Sequence, residues 1–428
     1  MLRPIFTRCA ARSASAASLR AAASRPLTSP VSWRATATAT ATQHAARQYS
    51  IKAKAASTST HQDIDPAKLT IEKSTSPKAL LKPEELVFGH TFTDHMLTIE
   101  WNETSGWHAP QIKPYQNLSL DPATCVFHYA FECFEGMKAY KDKSGGIRLF
   151  RPDRNMERFN KSAARIALPT FAPTALIELI ATFAKLESRF IPDQRGYSLY
   201  LRPTMIGTQK TLGVGPPGSA LLYVIASPVG PYYPTGFKAV SLEATDYAVR
   251  AWPGGVGDKK LGANYAPCIV PQREAMSRGF QQNLWLFGEE YVTEVGTMNF
   301  FVAIRNKETG AKELITAPLD GTILGGVTRD SVLSLAKEKL VPAGWNIVER
   351  KYTIKELDEA ANEGRLIEAF GSGTAAIVSP VRTISWKGKT INCGLKDHEE
   401  SGELALKMKD WMEARMYGDD EHEWSYHC

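Results

Sequence analysis

Between Arg250 and Pro267 the chain reads RAWPGGVGDKKLGANYAP. An apolar approach through Tyr247, Ala248, Val249, Ala251 and Trp252 runs into Pro253, Gly254, Gly255, Val256 and Gly257, then into two adjacent lysines and the aromatic Tyr265. Glycine-rich backbone lets a bulky ligand approach the chain closely and adopts dihedrals closed to other residues. A lysine beside it can be held poorly solvated, which lowers its pKa and makes the neutral amine a nucleophile toward carbonyls. That is what a Schiff-base lysine needs. The same residues also read as a surface glycine turn followed by two solvated lysines.

Three further stretches carry chemistry of a compatible kind. Glu294, in TEVGTMN, follows the strand-like Tyr291–Thr293 and precedes Gly296. A carboxylate there can meet a ring nitrogen of a cofactor, or can be a solvated turn residue. GTILGGVTRD, 321–330, leads straight into a helix beginning at Val327, so free backbone amides and the helix dipole form an anion site. EAFGSGTAAIVSP, 368–380, offers a second glycine-hydroxyl nest with Ser372 and Thr374. Arg158, on the helical NMERF segment, could supply a cation to the same phosphate, or be solvated like many helix arginines.

Other signals fall away. Gly388-Lys389-Thr390 lacks the glycine that a Walker loop places five residues earlier, where Thr383 stands. Asn102-Glu103-Thr104 and Asn117-Leu118-Ser119 match the glycosylation triplet, which alone does not imply its use. The nine histidines form no ligand-spaced pair near acids, which argues against a metal. Six cysteines, at 9, 125, 133, 268, 393 and 428, show no metal or redox spacing, as expected of reduced thiols.

These segments need elements to position them. Alternation predicts strands at 96–101, 146–150, 197–205, 220–227, 239–242, 284–287, 291–293 and 299–304. A short helical or turn segment starts at 121–124. Helical periodicity covers 154–168, through Met156, Phe159, Ala163 and Ile166, and 175–190, through Leu176, Leu179, Ile180, Phe183 and Leu186. Further helices are predicted at 267–278, 328–340, 354–363 and 401–417. SPVGPYYPTGF, 227–237, with three prolines and two glycines, is the best internal boundary. Strands followed by helices in both halves, without strict alternation, predict two α+β domains.

At 428 residues, 43% hydrophobic and 22% charged, the composition is that of a globular enzyme, with no apolar run long enough for a membrane span. The formal charge of +6 misleads. Residues 1–62 hold no acid and nine basic residues, and removing those leaves 42 Lys and Arg against 45 acids. An Arg-rich, Ala/Ser/Thr-rich, acid-free leader has the composition of a mitochondrial transit peptide. Its basic residues are spaced singly, whereas a nucleic-acid arm would cluster them. Arg47-Gln48-Tyr49-Ser50 resembles a matrix-processing site. The expected organisation is a leader over 1–49, a linker or loosely docked arm over 50–85, a small domain over 86–228, an interdomain loop over 229–238 and a large domain over 239–428. Regular structure is expected to start near Leu86.

In order from about Leu86 to Tyr417 the chain carries VFGHTFTDHML, FEGMKAY, LFRPDRNMERF, SLYLRPTMIGT, SPVGPYY, RAWPGGVGDKKLGANY, LWLFGEE, TEVGTMN, GTILGGVTR and FGSGTA. It resembles the branched-chain amino acid aminotransferases of the eukaryotic mitochondrial branch, which use pyridoxal 5′-phosphate on the two-domain α+β fold called type IV. The resemblance implies that Lys260, the lysine followed by Leu-Gly, is the Schiff-base lysine. Strand geometry, in which neighbours point to opposite faces, would leave room for only one of the two lysines. It implies that Glu294 pairs with the pyridine nitrogen and Tyr265 with the ring's 3-oxygen, while Arg158, the Val327 and Thr328 amides and Thr374 hold the phosphate. The side-chain pocket would be Phe88, Phe134, Tyr200, Tyr232 and Thr297, with Tyr129, Leu212 and Val214 from the second subunit of a homodimer. The Ala375 amide would bind the α-carboxylate, and Arg202 would help accept the distal carboxylate of glutamate.

The implied reaction is amino-group exchange between Leu, Ile or Val and 2-oxoglutarate in the mitochondrial matrix, with no nucleic-acid or membrane partner. Two positions depart from the family. Vertebrate relatives carry a redox Cys-x-x-Cys after GSGTA, where this chain has Ala376 and Ser379. A frequent proline of the phosphate turn is Gly325, expected to loosen the turn while keeping its donors. On the same fold, D-amino acid transaminases and aminodeoxychorismate lyases are alternatives that RAWPGGVG and SLYLRP speak against. A cofactor-free binding protein on this scaffold is the rival of another class, and it would lack a visible band that borohydride bleaches. From the acid-free leader, the mature chain is expected to begin near Ser50. Mass spectrometry of protein from isolated mitochondria checks this, and an intact Met1 start would contradict it.

Overall fold

A computed structural model of the chain describes residues 62–231, 236–288 and 290–428. The predicted leader and Tyr232 lie outside the described residues.

Two sheets organise what is described. The first is built from β1 (Thr70–Ile71), β2 (His95–Asn102), β3 (Gly106–Trp107), β4 (Gln111–Pro114), β5 (Glu132–Phe134), β6 (Met137–Lys141), β7 (Ile147–Phe150), β8 (Ser198–Gly207) and β9 (Ser219–Val229). The second holds β10 (Val240–Thr245), β11 (Gln282–Phe287), β12 (Tyr291–Val295), β13 (Met298–Arg305), β14 (Lys312–Thr316), β15 (Trp345–Glu349), β16 (Leu366–Gly373), β17 (Ile377–Trp386) and β18 (Lys389–Asn392). The last strand of the chain, β19 (Ser425–His427), returns to the first sheet. The first sheet runs β1-β4-β2-β9-β8-β6-β7-β19, with β3 on β2 and β5 on β8. The second runs β12-β11-β10-β17-β16-β13-β14-β15, with β18 on β17. The change of sheet falls between β9 and β10, within the stretch whose prolines and glycines mark it in the sequence. Among the described residues no helix is long and apolar enough to cross a membrane.

The helices follow from periodicity and their first residues. α1 (Cys125–Tyr129) is one short turn. α2 (Pro152–Arg165) and α3 (Pro173–Leu186) each start on a proline, whose missing N–H costs nothing at a helix start. Both bury an apolar face against the first sheet, through Met156 and Phe159 on α2 and Leu176, Ile180 and Phe183 on α3. α4 (Ile269–Ser277), α5 (Val327–Lys339), α6 (Ile354–Asn362) and α7 (Glu403–Met416) accompany the second sheet. On β13, Phe300, Val302 and Ile304 enter one core and Phe301 and Ala303 the other. A period of two with apolar residues on both faces is what a central strand covered on both sides requires. α5 and α7 cover the Phe301 side.

The structure corrects three expectations. Regular structure begins well before Leu86: Ile64 is buried in the first core, Pro66–Lys68 forms a 3₁₀ turn and β1 pairs with β4. The stretch 368–380 is no open nest but the β16–β17 hairpin, turning at 374–376. Its glycines sit in the strand because side chains press on them: a Cβ at Gly371 would stand 2.9 Å from Val295 Cγ1. The C-terminal residues expected in the large domain instead close the edge of the first sheet through β19.

Phe301 is fully buried and stacks on Phe370 with ring centroids 5.3 Å apart. Truncation of such a side chain leaves a cavity, so Phe301→Ala should lower stability by about 3–5 kcal/mol. The check is the midpoint of a urea transition at unchanged slope. A loss under about 1 kcal/mol would mean this core collapses around the gap.

Candidate active site

The 250–265 segment crosses from the second sheet to the first. Leu261 forms a single bridge with Cys133 of β5, and the Phe134 amide donates to the Lys260 carbonyl at 3.1 Å. The Lys260 amide donates to Ser162 Oγ of α2 at 2.9 Å. The two lysines therefore lie in turn-like chain and not in a strand, as the alternation argument assumed. Their side chains still diverge. Lys259 Nζ pairs with Asp258, whereas Lys260 Nζ donates to Tyr265 Oη at 3.0 Å and lies 4.7 Å from the Phe134 ring centre.

Lys260 opens into a cavity of ≈ 440 Å³. Of the sequence-predicted residues, Phe88, Phe134, Tyr200, Arg202, Tyr265, Thr297, Thr374 and Ala375 line it. One wall is aromatic, with the Phe88 and Tyr200 rings 4.9 Å apart and Phe134 and Tyr265 5.1 Å apart. Arg202 lies over Phe134 at 4.6 Å and donates from Nη2 to Tyr200 Oη at 2.9 Å. Its Nε is buried without a hydrogen-bond partner. Gly136 also borders the cavity, and a Cβ there would collide with Tyr200 Oη.

Behind the cavity a polar frame fixes the loop before α5. Glu294 is 2% exposed on β12, which excludes the solvated-turn reading. Its Oε2 pairs with Arg250 Nε at 2.8 Å, and its Oε1 accepts from the Leu324 amide at 2.8 Å and Asn299 Nδ2 at 3.1 Å. Burial, the largest influence, holds this carboxyl above the usual range, and Arg250, the Leu324 amide and Lys260 pull the other way. With donors on both oxygens, the site is built for the anion.

Arg158 is held on α2 beside Asn155 and Ser162, which three- and four-residue spacing puts on one face. Its Nε and Nη2 each reach Glu135 at 2.7 Å, and its Nη1 donates to the Gly325 carbonyl at 3.2 Å. Asn155 Nδ2 also donates to Glu135, at 2.7 Å. Gly325 is thus less free than its residue type suggests, because Asn299 holds the preceding carbonyl, at 2.8 Å, while Arg158 holds its own. Val327 and Thr328 open α5 after Gly326, and both are buried. Amides in a first helical turn have no intrahelical acceptor and face an anion readily.

Among the described residues, seven predicted ones do not line this chain's cavity: Arg158, Glu294, Val327 and Thr328 of the frame behind it, and Tyr129, Leu212 and Val214. Tyr129 donates its hydroxyl to the Leu212 carbonyl, and Leu212 and Val214 are 66% and 78% exposed. Sequence reasoning missed Arg250, Glu135 and Asn299. All three lie inside quoted motifs, but the partners of Arg250 and Glu135, and the Leu324 carbonyl that Asn299 holds, are far along the chain. Among the described residues no group of His, Cys, Asp or Glu could hold a metal.

The sheets, their order and the lysine-centred cavity are those of a fold type IV pyridoxal-phosphate aminotransferase, with a small N-terminal and a large C-terminal domain. A family model for class IV amino-transferases matches residues 132–384. The mitochondrial branched-chain-amino-acid aminotransferase of Saccharomyces cerevisiae is 62% identical over 83% of this chain and 91% of the relative. The cytosolic one of the same yeast is 61% identical over 82% and 95%. Among solved structures, the branched-chain aminotransferase of the thermophilic archaeon Thermoproteus uzoniensis with norvaline shares the fold. It is 23% identical, with a TM-score of 0.60 over 77% of this chain and 98% of that one. The chain belongs to the branched-chain-amino-acid aminotransferase family.

The described thiols are poor targets for oxidation. Burial pushes Cys393 up to about 12 and Cys428 up to about 11, and it also raises Cys125, Cys133 and Cys268. The thiolate is the reactive form, so raised values mean protonated, slow thiols near neutral pH. Ala376 ends the 374–376 turn and Ser379 lies on β17, so neither position carries a thiol. Mild peroxide should therefore leave activity largely unchanged. A rapid loss that dithiothreitol reverses would contradict this.

Proposed function

We propose that the protein exchanges the amino group of leucine, isoleucine or valine with 2-oxoglutarate, as a pyridoxal 5′-phosphate-dependent homodimer of the mitochondrial matrix. The observation that carries this reading is Lys260 Nζ, 3.0 Å from Tyr265 Oη, in a cavity that combines aromatic walls with a half-buried Arg202 whose buried Nε has no hydrogen-bond partner. The names of the yeast relatives support the substrate class. The acid-free leader supports the compartment, since relatives from both compartments are equally similar.

The residues present suit the cofactor. Arg158, the Val327 and Thr328 amides and Thr374 would hold its phosphate, Glu294 its ring nitrogen and Tyr265 its 3-oxygen. When bound, pyridoxal phosphate supplies an aldehyde that condenses with amines and a ring that withdraws electrons from the adjacent carbon. Glu294 is equipped to keep a positive ring nitrogen charged, because Arg250 and two neutral donors fix it as an anion without filling every lone pair. Lys260, once its amine is free, holds and moves the proton at the substrate's Cα. Tyr265 orients that amine.

Phe88, Phe134, Tyr200, Tyr232 and Thr297 would enclose a branched apolar side chain and exclude water from it. The Ala375 amide would take the α-carboxylate. Arg202, stacked on Phe134, would meet a distal carboxylate with its spare donors. One box can thus receive Leu, Ile and Val in one half-reaction and glutamate in the other. The exposure of Leu212 and Val214 beside Tyr129 suits contribution to a second subunit's cavity.

Reduction with borohydride followed by peptide mapping tests the assignment. The label should fall on Lys260, and Lys260→Ala should lower kcat by about a hundredfold to ten-thousandfold, the usual worth of a positioned proton carrier. Lys259→Ala should keep near-normal turnover and change stability by no more than about 0.5 kcal/mol. A label on Lys259 would put the register of the site wrong by one residue.

A further inference from the structure

Lys138 stands on β6, in register with Tyr200 of β8, and its side chain leaves the first sheet toward the second. The residue is 5% exposed, and its Nζ donates to the Ala375 carbonyl at 2.8 Å, across 237 positions of sequence. Among the described residues no carboxylate lies within ion-pair distance of it. Glu413 is the opposite charge that acts on it, yet Glu413 is engaged by Arg195 at 3.3 Å and Lys409 at 3.0 Å. Burial dominates and brings the ammonium down to about 8, with Glu413 opposing. A buried cation without a paired anion is costly, and an apolar residue of similar volume often serves stability as well or better. Its location indicates what the charge is for.

The Ala375 carbonyl belongs to the 374–376 turn, and Thr374, Ala375 and Ala376 all line the cavity. A peptide unit is planar and trans, so its C=O and N–H point in opposite directions. Fixing the Ala375 oxygen on Lys138 therefore fixes the Ala376 N–H on the opposite edge. A cation on the carbonyl also polarises the unit and strengthens that N–H as a donor. We propose that Lys138 is a positioning residue for substrate: it orients and charges the Ala375–Ala376 peptide so that the Ala376 amide joins in binding the substrate's α-carboxylate. This rests on the transaminase reading and adds a donor and a distant cation to it.

The test compares 4-methylvalerate with its primary amide, two leucine-shaped ligands without an amino group, on the cofactor-loaded enzyme by titration calorimetry. Lys138→Met should weaken the acid by about tenfold or more, the scale of one charge-assisted hydrogen bond, and leave the amide within about twofold. The KM for leucine should rise more than kcat falls, and Lys138→Arg should restore acid binding to within about threefold. Lys138→Gln, which keeps a donor but no charge, should show the acid-selective loss in part and serves if the Met variant does not fold. Equal weakening of acid and amide, or unchanged acid binding, would overturn the proposal. A parent enzyme that carries the reducible cofactor but binds neither ligand would instead overturn the substrate reading.

Discussion

The register at which residues 250–265 cross onto the first sheet is the constraint on which the site depends. The contacts that set it are the Leu261–Cys133 bridge, which includes the Phe134 amide on the Lys260 carbonyl, and the Lys260 amide on the Ser162 hydroxyl. None belongs to a continuous ladder, so nothing farther along would correct a slip. A shift by one residue would put Lys259 in the place that Lys260 holds. Both Ser162 and Phe134 are held by the small domain's core, through α2 and β5. The chemistry placed by the large domain's loop is thus registered by the other domain.

Charge is the second constraint. Two buried ion pairs, Arg158 with Glu135 and Arg250 with Glu294, flank the loop that leads into α5. Burying such groups costs several kcal/mol each, and a pair recovers it only when the geometry is good and the remaining lone pairs are bonded. Here Asn155 completes Glu135, and Asn299 and the Leu324 amide complete Glu294. The pairs fix positions more than they add stability. Arg158 and Asn299 grip successive carbonyls of 324–325, which aims the first amides of α5. The first turn of α5 and the Glu294 carboxylate are thus held by the same frame, behind the cavity that Lys260 lines. Electrostatic preorganisation of this sort pays no reorganisation cost during the reaction.

Much of this was legible in the residues, and the rest was not for identifiable reasons. α2, α3, α5, α6 and α7 carry clear periodicity and lie within a few residues of their predicted spans. The glycine-rich run before Val327 was recognisable as a helix approach, because backbone amides there need no particular side chain. The β16–β17 hairpin was hidden by its own glycines, which look like a loop until Val295 and Met298 are seen packed on them. Glu135 and Arg250 sit inside quoted motifs, yet a carboxylate's partner twenty or forty residues away leaves no local trace. Lys138 lies in FEGMKAY, which was quoted as a motif without an element, and only the approach of the second sheet makes it a buried cation. The choice of Lys260 came from family likeness. The physical reason for it lies in the crossing contacts, not in strand alternation.

The central claim is that one amino group is carried on the enzyme between two half-reactions, and single-turnover chemistry tests it most directly. Cofactor-loaded protein mixed with excess leucine, and with no oxo acid present, should release about one equivalent of 4-methyl-2-oxopentanoate per chain and then stop, as a two-step covalent exchange demands. Adding 2-oxoglutarate should restart release and yield glutamate in equal amount. Continuous oxo-acid formation with free ammonia, or no product from leucine, isoleucine or valine, would contradict the account.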